Sequence, residues 1–436
     1  MPVLDVISTK SGDFARRWAQ LKENLSLEAA LLGNPERLEA VRGILKTVRE
    51  RGDAAVADLT LKLDKVPLAA DQFRIPPAQL DQAHAALNPD LLEAIRQAID
   101  NVRRYQQAIL HRPPADLSEK GVNLGVRYRP LNRVGVCVPG ASAPLPSTVI
   151  MSVVPAQVAG VKEIAIISSP SYQGSIHPVI LGVCRELGVS EVYRVSGAQA
   201  VAALAFGTET IPKVDKIVGP SSIWGQLAKK EVFGLVDIDS FAGPSDVLIV
   251  ADDSARADWV AADLLSQAEH APGSGILVTD SEKLARQVAA EVESQLTQLT
   301  RGEQTRNYVR ATCLAVVTRD LDEAVKLAND FAPEHLQVQT RQPEQVAARL
   351  SNAGAIFIGP YTPVAVGDYF AGPSHVLPVG GTARFFGPLN ANDFIKTCSI
   401  VRYEEQALRA AAPMIEKLAL TEGLDAHAQS VTKRLN

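Results

Sequence analysis

The feature that most constrains the fold of this chain is a series of short apolar segments rich in Val and Ile. These segments alternate with helical patterns from "NRVGVCVPG" onward. They lack the polar alternation of half-exposed strands and are typical of strands buried on both faces of a parallel sheet. Right-handed crossover helices between such strands favour one or two doubly wound sheets. The predicted strands are 134–138, 163–167, 191–195, 215–218, 246–250, 274–279, 312–318 and 354–358.

The two ends of the chain have a different pattern. Residues up to about 130 show helical apolar spacing with a charged outer face, and the chain returns to helix from about residue 390. The tetrapeptide "AGPS" occurs at 242–245 and again at 371–374, but four common turn residues are only a weak indication of internal duplication. The expected class is therefore α/β with helical ends.

Composition excludes several classes of function. The 436 residues are 46% hydrophobic and 21% charged, which is typical of a globular protein of two or three domains. A net charge of −5 with interspersed signs argues against a nucleic-acid or acidic-membrane surface. No run is long enough to span a membrane, and no secretory signal is evident. Cys137, Cys184, Cys313 and Cys398 form no C-x-x-C pair, so we expect a soluble, cytoplasmic protein.

Clusters of Gly and Pro follow the predicted strands, for example "VPGASAPLP", "VGPSS" and "YTPVAVGDYFAGPSHV". In doubly wound folds ligands bind at the carboxyl ends of the strands, so the site is expected in these loops. Neither G-x-G-x-x-G nor G-x-x-x-x-G-K-[ST] occurs, so no ordinary dinucleotide or P-loop site is indicated.

The segment "DLLSQAEH" ends an amphipathic helix on two polar side chains. Gln267 and His270 are three residues apart, so their side chains can converge on one point. They could be half of a metal site, or a solvated Gln and a His favoured by the helix dipole. The apolar stripe of this helix consists of Ala257, Val260, Ala261, Leu264, Leu265 and Ala268.

The segment "FAPEHLQV" places Glu334 and His335 side by side after Pro333. Adjacent residues project in different directions, so the two could act as bases in separate steps on one substrate. The alternative is a helix N-terminus with an early Pro and a Glu favoured by the dipole.

Two further segments carry candidate metal ligands. Asp368 lies in a Gly-rich loop and is either a ligand or a turn-forming residue. His427, five residues after Glu422, is either a ligand or a solvated helix residue. His375 could be structural or functional, whereas the remaining histidines have surface-like surroundings (His84, His111 and His177).

Taken together, these segments resemble the histidinol dehydrogenase family over essentially the whole chain. The resemblance is carried, in family order, by "GVCVPGASAPLPSTVIM", "VSGAQAVAALAFGTETIPKVDKIVGP", "DSFAGPSDVLIVAD", "DLLSQAEH", "NDFAPEHLQV", "GDYFAGPSHVLP" and "EGLDAHA".

The resemblance implies a zinc-dependent enzyme of histidine biosynthesis that oxidises L-histidinol to L-histidine through histidinal, with two NAD+. It makes Gln267, His270, Asp368 and His427 the ligands of one zinc ion per subunit. These nitrogen and oxygen donors suit zinc, and substrate nitrogens would complete the shell, so zinc is expected to orient the substrate.

The resemblance also implies roles for the remaining site residues. His335 is the general base, and Glu334 activates the water that hydrates the aldehyde. Ser245, Glu422 and His427 contact the substrate, and the C-terminal segment reaches the neighbouring subunit of a homodimer.

The domain organisation implied by the resemblance is two incomplete Rossmann-like domains and a small helical tail formed from both chain ends. The expected division is a tail segment at 1–32, a first domain at 33–133 and 247–389, a second domain on the NAD side at 134–246, and a tail segment at 390–436.

Departures from the family pattern concentrate at the expected cofactor positions, Cys137, Gln199 and Ser222. Cys137 stands where the family usually has Tyr, Ala141 replaces a Gly, and Ser222 stands where Asn is usual. Only Gln199 is retained, which leaves open the affinity for NAD and the choice between NAD and NADP.

Two alternatives remain. One is a related dehydrogenase similar to sulfopropanediol dehydrogenase, and the other is a non-catalytic paralogue that has lost NAD. Retention of Glu422 and His427 favours an imidazole substrate, and the intact ligands and bases argue against loss of catalysis.

Overall fold

Three β-sheets organise the chain, and a computed structural model describes residues 3–140, 144–241, 245–270 and 273–435. The strands are β1 Asp5–Ser8, β2 Leu117–Glu119, β3 Val122–Pro130, β4 Arg133–Val138, β5 Glu163–Ser168, β6 Glu191–Tyr193, β7 Lys216–Val218, β8 Asp237–Ile238, β9 Ser245–Ala251, β10 Gly273–Thr279, β11 Leu314–Val317, β12 His335–Gln339, β13 Ala355–Ile358 and β14 Ile395–Tyr403.

The helices are α1 Phe14–Leu25, α2 Leu27–Leu32, α3 Pro35–Asp64, α4 Pro77–Ala85, α5 Pro89–Ile109, α6 Pro146–Ala159, α7 Pro178–Glu186, α8 Gly197–Phe206, α9 Ile223–Val232, α10 Ala257–Ala268, α11 Glu282–Leu296, α12 Gly302–Thr312, α13 Leu321–Phe331, α14 Pro343–Ala347, α15 Val364–Tyr369, α16 Glu405–Thr421 and α17 Asp425–Thr432. Short 3₁₀ turns occur at Ala70–Gln72, Thr382–Arg384 and Ala391–Phe394. Within the described ranges no helix is both long and apolar enough to cross a membrane.

Two of the sheets are entirely parallel and doubly wound. The five-stranded sheet has the order β6-β5-β4-β7-β8, and the six-stranded sheet has the order β1-β11-β10-β9-β12-β13. Apart from β1, the first strand of each sheet lies in the middle and the order reverses beside it. The predicted α/β class and every predicted strand are confirmed, with ends within two residues. Both sheets are covered by helices, and all residues of β4 and β10 are buried.

The third sheet corrects the prediction of helical chain ends. β3 pairs with β14 in an antiparallel register that runs from Pro130–Ile395 to Val122–Tyr403, and β2 pairs with the other edge of β3. Both strands lie partly in solvent, so their sequences lack the buried Val/Ile signature. The pairing joins segments more than 250 residues apart, which no local pattern reveals.

The expected tail built from both chain ends is not what the structure shows. β1 pairs with β11 at the edge of the six-stranded sheet. The C-terminal arm, residues 404–435, consists of α16 packed on α17, and it begins beside the turn between β2 and β3. Several of its apolar side chains face solvent, including Met414 at 68% and Leu418 at 67% exposure.

Helices α3, α4 and α5 were expected to belong with the six-stranded sheet. Instead, α3 contacts mainly α8 and α9, α4 contacts α7, and α5 contacts α6. All of these partner helices cover the five-stranded sheet. Polar contacts agree, since the backbone N–H of Asp53 in α3 donates to Glu209 Oε2 at 2.9 Å. These contacts favour grouping residues 35–109 with the five-stranded sheet.

An ion-pair network ties together the amino ends of three strands in the five-stranded sheet. Arg133, the first residue of β4, donates to Glu163 Oε2 at 2.9 Å and to Glu191 Oε1 at 2.9 Å. The Tyr193 hydroxyl donates to Glu191 as well. The Arg133 side chain is 9% exposed, whereas that of Glu163 is 59% exposed. The Arg133 guanidinium lowers the pKa of Glu191, so both groups are charged at neutral pH.

We expect Arg133→Met to lower the free energy of unfolding by about 3 kcal/mol, because it leaves the half-buried Glu191 carboxylate without its cation. Glu163→Gln is the matched control and is expected to cost less than about 1 kcal/mol, because that partner is solvated. Urea unfolding of the two variants measures the difference. Equal losses would show that the buried pair adds nothing beyond a surface interaction.

Candidate active site

One cavity lies where the two parallel sheets meet. The carboxyl ends of β7 and β8 contribute one wall, through Gly219 and Asp239. The opposite wall comes from the amino ends of β9 and β12, so the predicted location at carboxyl ends is wrong for the six-stranded sheet. The predicted and candidate residues that line the cavity are Ser245, His270, Glu334, His335, Asp368 and His375.

The end of α10 contributes Gln267 and His270. The predicted apolar stripe of this helix is confirmed, with Gln267 buried at 1% exposure and His270 exposed. β10 begins at Gly273 so close to the helix end that an added Cβ would lie 1.8 Å from the Gln267 carbonyl oxygen. Glycine therefore permits the return of the chain here. The Ser245 hydroxyl lies 2.8 Å from Gln267 Oε1, which connects the buried amide to a residue that lines the cavity.

His335 is the first residue of β12 and not part of a helix N-terminus. Its strand pairs with β9, with His335 opposite Val247. The ring Nδ1 lies 2.9 Å from the carbonyl oxygen of Asp246, and because a carbonyl only accepts, Nδ1 carries the hydrogen. Nε2 therefore becomes the atom that gains or loses a proton, and it lies 3.3 Å from Asp368 Oδ1.

Glu334 immediately precedes β12 and is 7% exposed. Its Oε2 lies 2.7 Å from the Ser245 hydroxyl and accepts the backbone N–H of Asp246 at 3.1 Å. The Ser245 hydroxyl has one proton and donates to Glu334 or to Gln267 at a given time. Glu334 Oε2 is 3.6 Å from His335 Nδ1, so the two side chains are neighbours whose hydrogen bonds go to different atoms.

Burial and charge shift the pKa values of these groups. Burial raises the pKa of Glu334 above its ordinary value. Burial alone would lower the pKa of His335, but the carboxylates of Glu334 and Asp368 outweigh it and bring the pKa to about 9. His335 is therefore positively charged at neutral pH in the metal-free chain, and the site holds an acid–base cluster that solvent does not screen.

Asp368 lies on α15 and not in a loop as predicted. Its backbone carbonyl accepts a hydrogen bond from His375 Nδ1 at 2.9 Å. Burial lowers the pKa of His375, so this ring is neutral at neutral pH. His375, which its sequence pattern left unassigned, thus holds the C-terminal end of α15 and also lines the cavity.

Of the four predicted zinc ligands, His270 and Asp368 line this cavity, and Gln267 contacts the lining residue Ser245 through its Oε1. The fourth, His427, is exposed on α17, as is Glu422 near the end of α16, and neither lines the cavity. Among the residues that the structure describes, no group of three or more His, Cys, Asp or Glu could hold a metal ion. The donor types fit zinc, but one chain supplies an incomplete set.

A second crevice lies at the carboxyl ends of β4 to β7, where the strand order of the five-stranded sheet reverses. Two of the predicted cofactor residues, Cys137 and Ser222, line it, whereas Ala141 lies outside the described residues. The Gln199 side chain lies next to Gly197, and its Nε2 donates to Asp64 Oδ2 at 3.1 Å. Burial raises the pKa of Cys137 to about 12, so its thiol stays neutral.

A buried ion pair at the cavity wall was missed by the sequence analysis. Lys229 and Asp239 have side chains only 1% and 4% exposed and form a salt bridge. Lys229 Nζ also donates to the Gly219 carbonyl at 3.2 Å, and Asp239 accepts the Gly219 N–H at 2.6 Å. The segment "LAKKEV" resembles a solvated helix face, so nothing in it distinguishes Lys229 from an ordinary surface lysine.

Known proteins share the sequence pattern and the fold of this chain. A family model for histidinol dehydrogenase matches residues 32–435. Histidinol dehydrogenase of Rhodopirellula baltica is 46% identical over 444 residues, covering 99% of this chain and 96% of its own length. That of Geobacillus kaustophilus is 48% identical over 404 residues, covering 92% and 95%. A crystal structure of histidinol dehydrogenase from Elizabethkingia anophelis has a TM-score of 0.92 at 32% identity and covers 100% of this chain and 98% of that chain.

The resemblance carried by the sequence motifs is thereby confirmed along nearly the whole chain. The two relatives are well above 30% identical, are of matching length and cover at least 92% of the chain. The chain is a member of the histidinol dehydrogenase family and thus an oxidoreductase.

Proposed function

We propose that the protein oxidises L-histidinol to L-histidine through histidinal, with zinc and two NAD+, in the last steps of histidine biosynthesis. The observation that carries the proposal is the pair of buried residues Glu334 and His335, which lies with Ser245 at one wall of the cavity that His270 and Asp368 also line. Two bases with separate hydrogen-bond partners suit a reaction that removes protons from two successive substrates.

In the first oxidation His335 takes the alcohol proton at Nε2 while the carbon loses a hydride to NAD+. The Nδ1–H bond to the Asp246 carbonyl keeps Nε2 available for this transfer. A base has to be neutral before it acts, and Asp368 is one cause of the high pKa of His335. A cation bound to Asp368 would offset the negative charge of this carboxylate and would therefore lower the pKa of His335 towards neutral pH.

In the second oxidation the aldehyde carbon first has to become tetrahedral, because hydride leaves only from such a carbon. Glu334 accepts the proton of the water that adds to the aldehyde, and its burial makes it a stronger base than a solvated carboxylate. Ser245 and the N–H of Asp246 hold its Oε2 in place. His335, after releasing the first proton to solvent, then removes a proton from the diol as the second hydride leaves.

Zinc would be held by Gln267, His270 and Asp368 together with His427 of the partner subunit. When bound there, the ion supplies a fixed positive centre that orients the nitrogen atoms of the substrate. The mixed amide, imidazole and carboxylate donors are ones that zinc accepts.

The homodimer in this proposal is supported by the C-terminal arm. Exposed apolar side chains such as Met414, Leu418 and Leu420 are typical of a surface that another chain covers. Glu422 and His427 lie on the same arm, so docking it on a second copy would bring the missing ligand to the cavity.

NAD+ would occupy the crevice lined by Cys137 and Ser222, with Gln199 acting through Asp64. The crevice lies at the topological switch point, where dinucleotides bind in doubly wound sheets. The two departures from the family pattern leave the preference for NAD over NADP as a property to be measured. Four free cysteines, three of them buried, support a reducing, cytoplasmic location.

Purified zinc-loaded protein is expected to form two NADH for each L-histidinol consumed, with histidine as the product. NADH absorbance and amino-acid analysis of the same reaction give the ratio. No NADH from folded, zinc-bound protein would contradict the proposal. Oxidation of sulfopropanediol would then favour the related dehydrogenase, and no turnover of any primary alcohol would favour the non-catalytic paralogue.

We expect His335→Asn to slow both oxidations by about 10²- to 10⁴-fold while the zinc content stays that of the parent, because the general base is lost. Glu334→Gln should slow mainly the oxidation of histidinal. Supplying histidinol and histidinal separately in single-turnover experiments distinguishes the two steps. Oxidation of histidinal by Glu334→Gln at the parent rate would disprove the water-activating role.

A shared site predicts that two inactive variants restore activity when mixed. His335→Asn and His427→Ala chains, unfolded and refolded together in equal amounts, should recover about a quarter of the parent activity, because half the dimers carry one intact site. Each variant refolded alone is the control. No recovery, with mixed dimers demonstrated by differential tagging, would place the whole site within one chain.

A further inference from the structure

Asp246, the second residue of β9, contacts both Glu334 and His335 and is not among the site residues predicted from the sequence. It is 1% exposed, and because strand side chains alternate, it points away from the face that carries Ser245. Its Oδ1 accepts the backbone N–H of Glu334 at 2.8 Å, while its own backbone N–H donates to Glu334 Oε2 at 3.1 Å. The two residues therefore hold each other by a reciprocal exchange of main-chain and side-chain hydrogen bonds.

The same residue also orients the second base. The carbonyl oxygen of Asp246 accepts the hydrogen bond from His335 Nδ1 at 2.9 Å. Asp246 thus contributes an N–H, a carbonyl and a carboxyl oxygen to Glu334 and His335, the residue before β12 and the first residue of β12. Any shift of the peptide between Pro333 and Glu334 would move both side chains together.

The carboxyl group of Asp246 faces a different cavity from the one that holds the substrate residues. That cavity is lined by Lys22, Asp330 and Arg384, and Lys22 is already paired with Asp330 at 2.6 Å. Among the described residues no Lys or Arg forms an ion pair with Asp246. Burial, and then the nearby charge of Glu334, raise its pKa to about 8, so the carboxyl is mainly protonated at neutral pH.

We propose that Asp246 is a positioning residue for Glu334 and His335, acting as a buried hydrogen-bond acceptor that fixes the start of β12. The proposal rests on the proposed function, because it takes these two residues as the catalytic bases. What the site requires of Asp246 is an oxygen at the place of Oδ1 and not a negative charge. Asparagine keeps that oxygen and alanine removes it.

Steady-state kinetics of three variants test this role. Asp246→Ala is expected to lower kcat for histidinol by about 10- to 100-fold, because displacing a catalytic group by a fraction of an ångström slows the reaction by a factor of that order. KM should stay within about threefold of the parent, since no substrate contact is removed. Asp246→Asn should restore kcat to within about threefold of the parent. Zinc content should be unchanged in both.

Ser274→Ala is the matched control. Ser274 lies in register with Asp246 on β10, is fully buried, and has a hydroxyl without a hydrogen-bond partner. Its loss perturbs the same part of the sheet without touching either base, so kcat should not change. If Asp246→Ala does not fold, Asp246→Ser replaces it, because a serine hydroxyl stops one bond short of the position of Oδ1.

Several results would overturn the positioning role. They are an unchanged kcat in Asp246→Ala, an equal loss in Asp246→Asn, and an equal loss in Ser274→Ala. Turnover by the parent and a slowed aldehyde step in Glu334→Gln, measured in the same series, establish the proposed function independently. With both present, a negative result for Asp246 overturns the positioning role alone, whereas no turnover by the parent overturns both.

Discussion

The parallel pairing of β9 with β12 is the constraint on which the site depends. Its register sets His335 opposite Val247 and Gln339 opposite Ala251, which brings Glu334 next to the first residues of β9. A slip of one residue would turn every side chain of β12 to the other face of the sheet. The geometry of both bases is therefore determined by backbone hydrogen bonds along the strand as much as by their own contacts.

The two doubly wound sheets border the cavity with opposite ends of their strands. At the amino end of a parallel strand the first N–H groups are available for partners outside the ladder, and here the N–H of Asp246 donates to the Glu334 carboxylate. At the carboxyl ends of the other sheet, Lys229 and Asp239 hold both polar groups of the Gly219 peptide. Pro220, the next residue, lines both this cavity and the second crevice, so the two share a wall.

Within one chain the hydrogen bonds of the two proposed bases are complete, whereas the proposed metal site lacks one of its ligands. Glu334, His335 and Ser245 have their hydrogen-bond partners in the same chain, whereas His427 lies on an exposed arm. In the proposed homodimer, metal binding would depend on assembly, because His427 would have to come from the partner subunit. The exposed apolar residues of the arm indicate where the free energy of that assembly would come from.

The sequence by itself determined the α/β class, the strands of Val and Ile, the stripe of α10 and, through its motifs, the family to which the chain belongs. It failed for β12, whose buried face carries His335, Gln337 and Gln339 and so reads as polar, and for β3 and β14, which are half exposed. Only the tertiary structure decided which strand ends meet, and therefore that Asp246, 88 residues away along the chain, holds Glu334. The physical reason is that periodicity reports burial along one segment, whereas sheet order and register depend on contacts between segments that are distant in the chain.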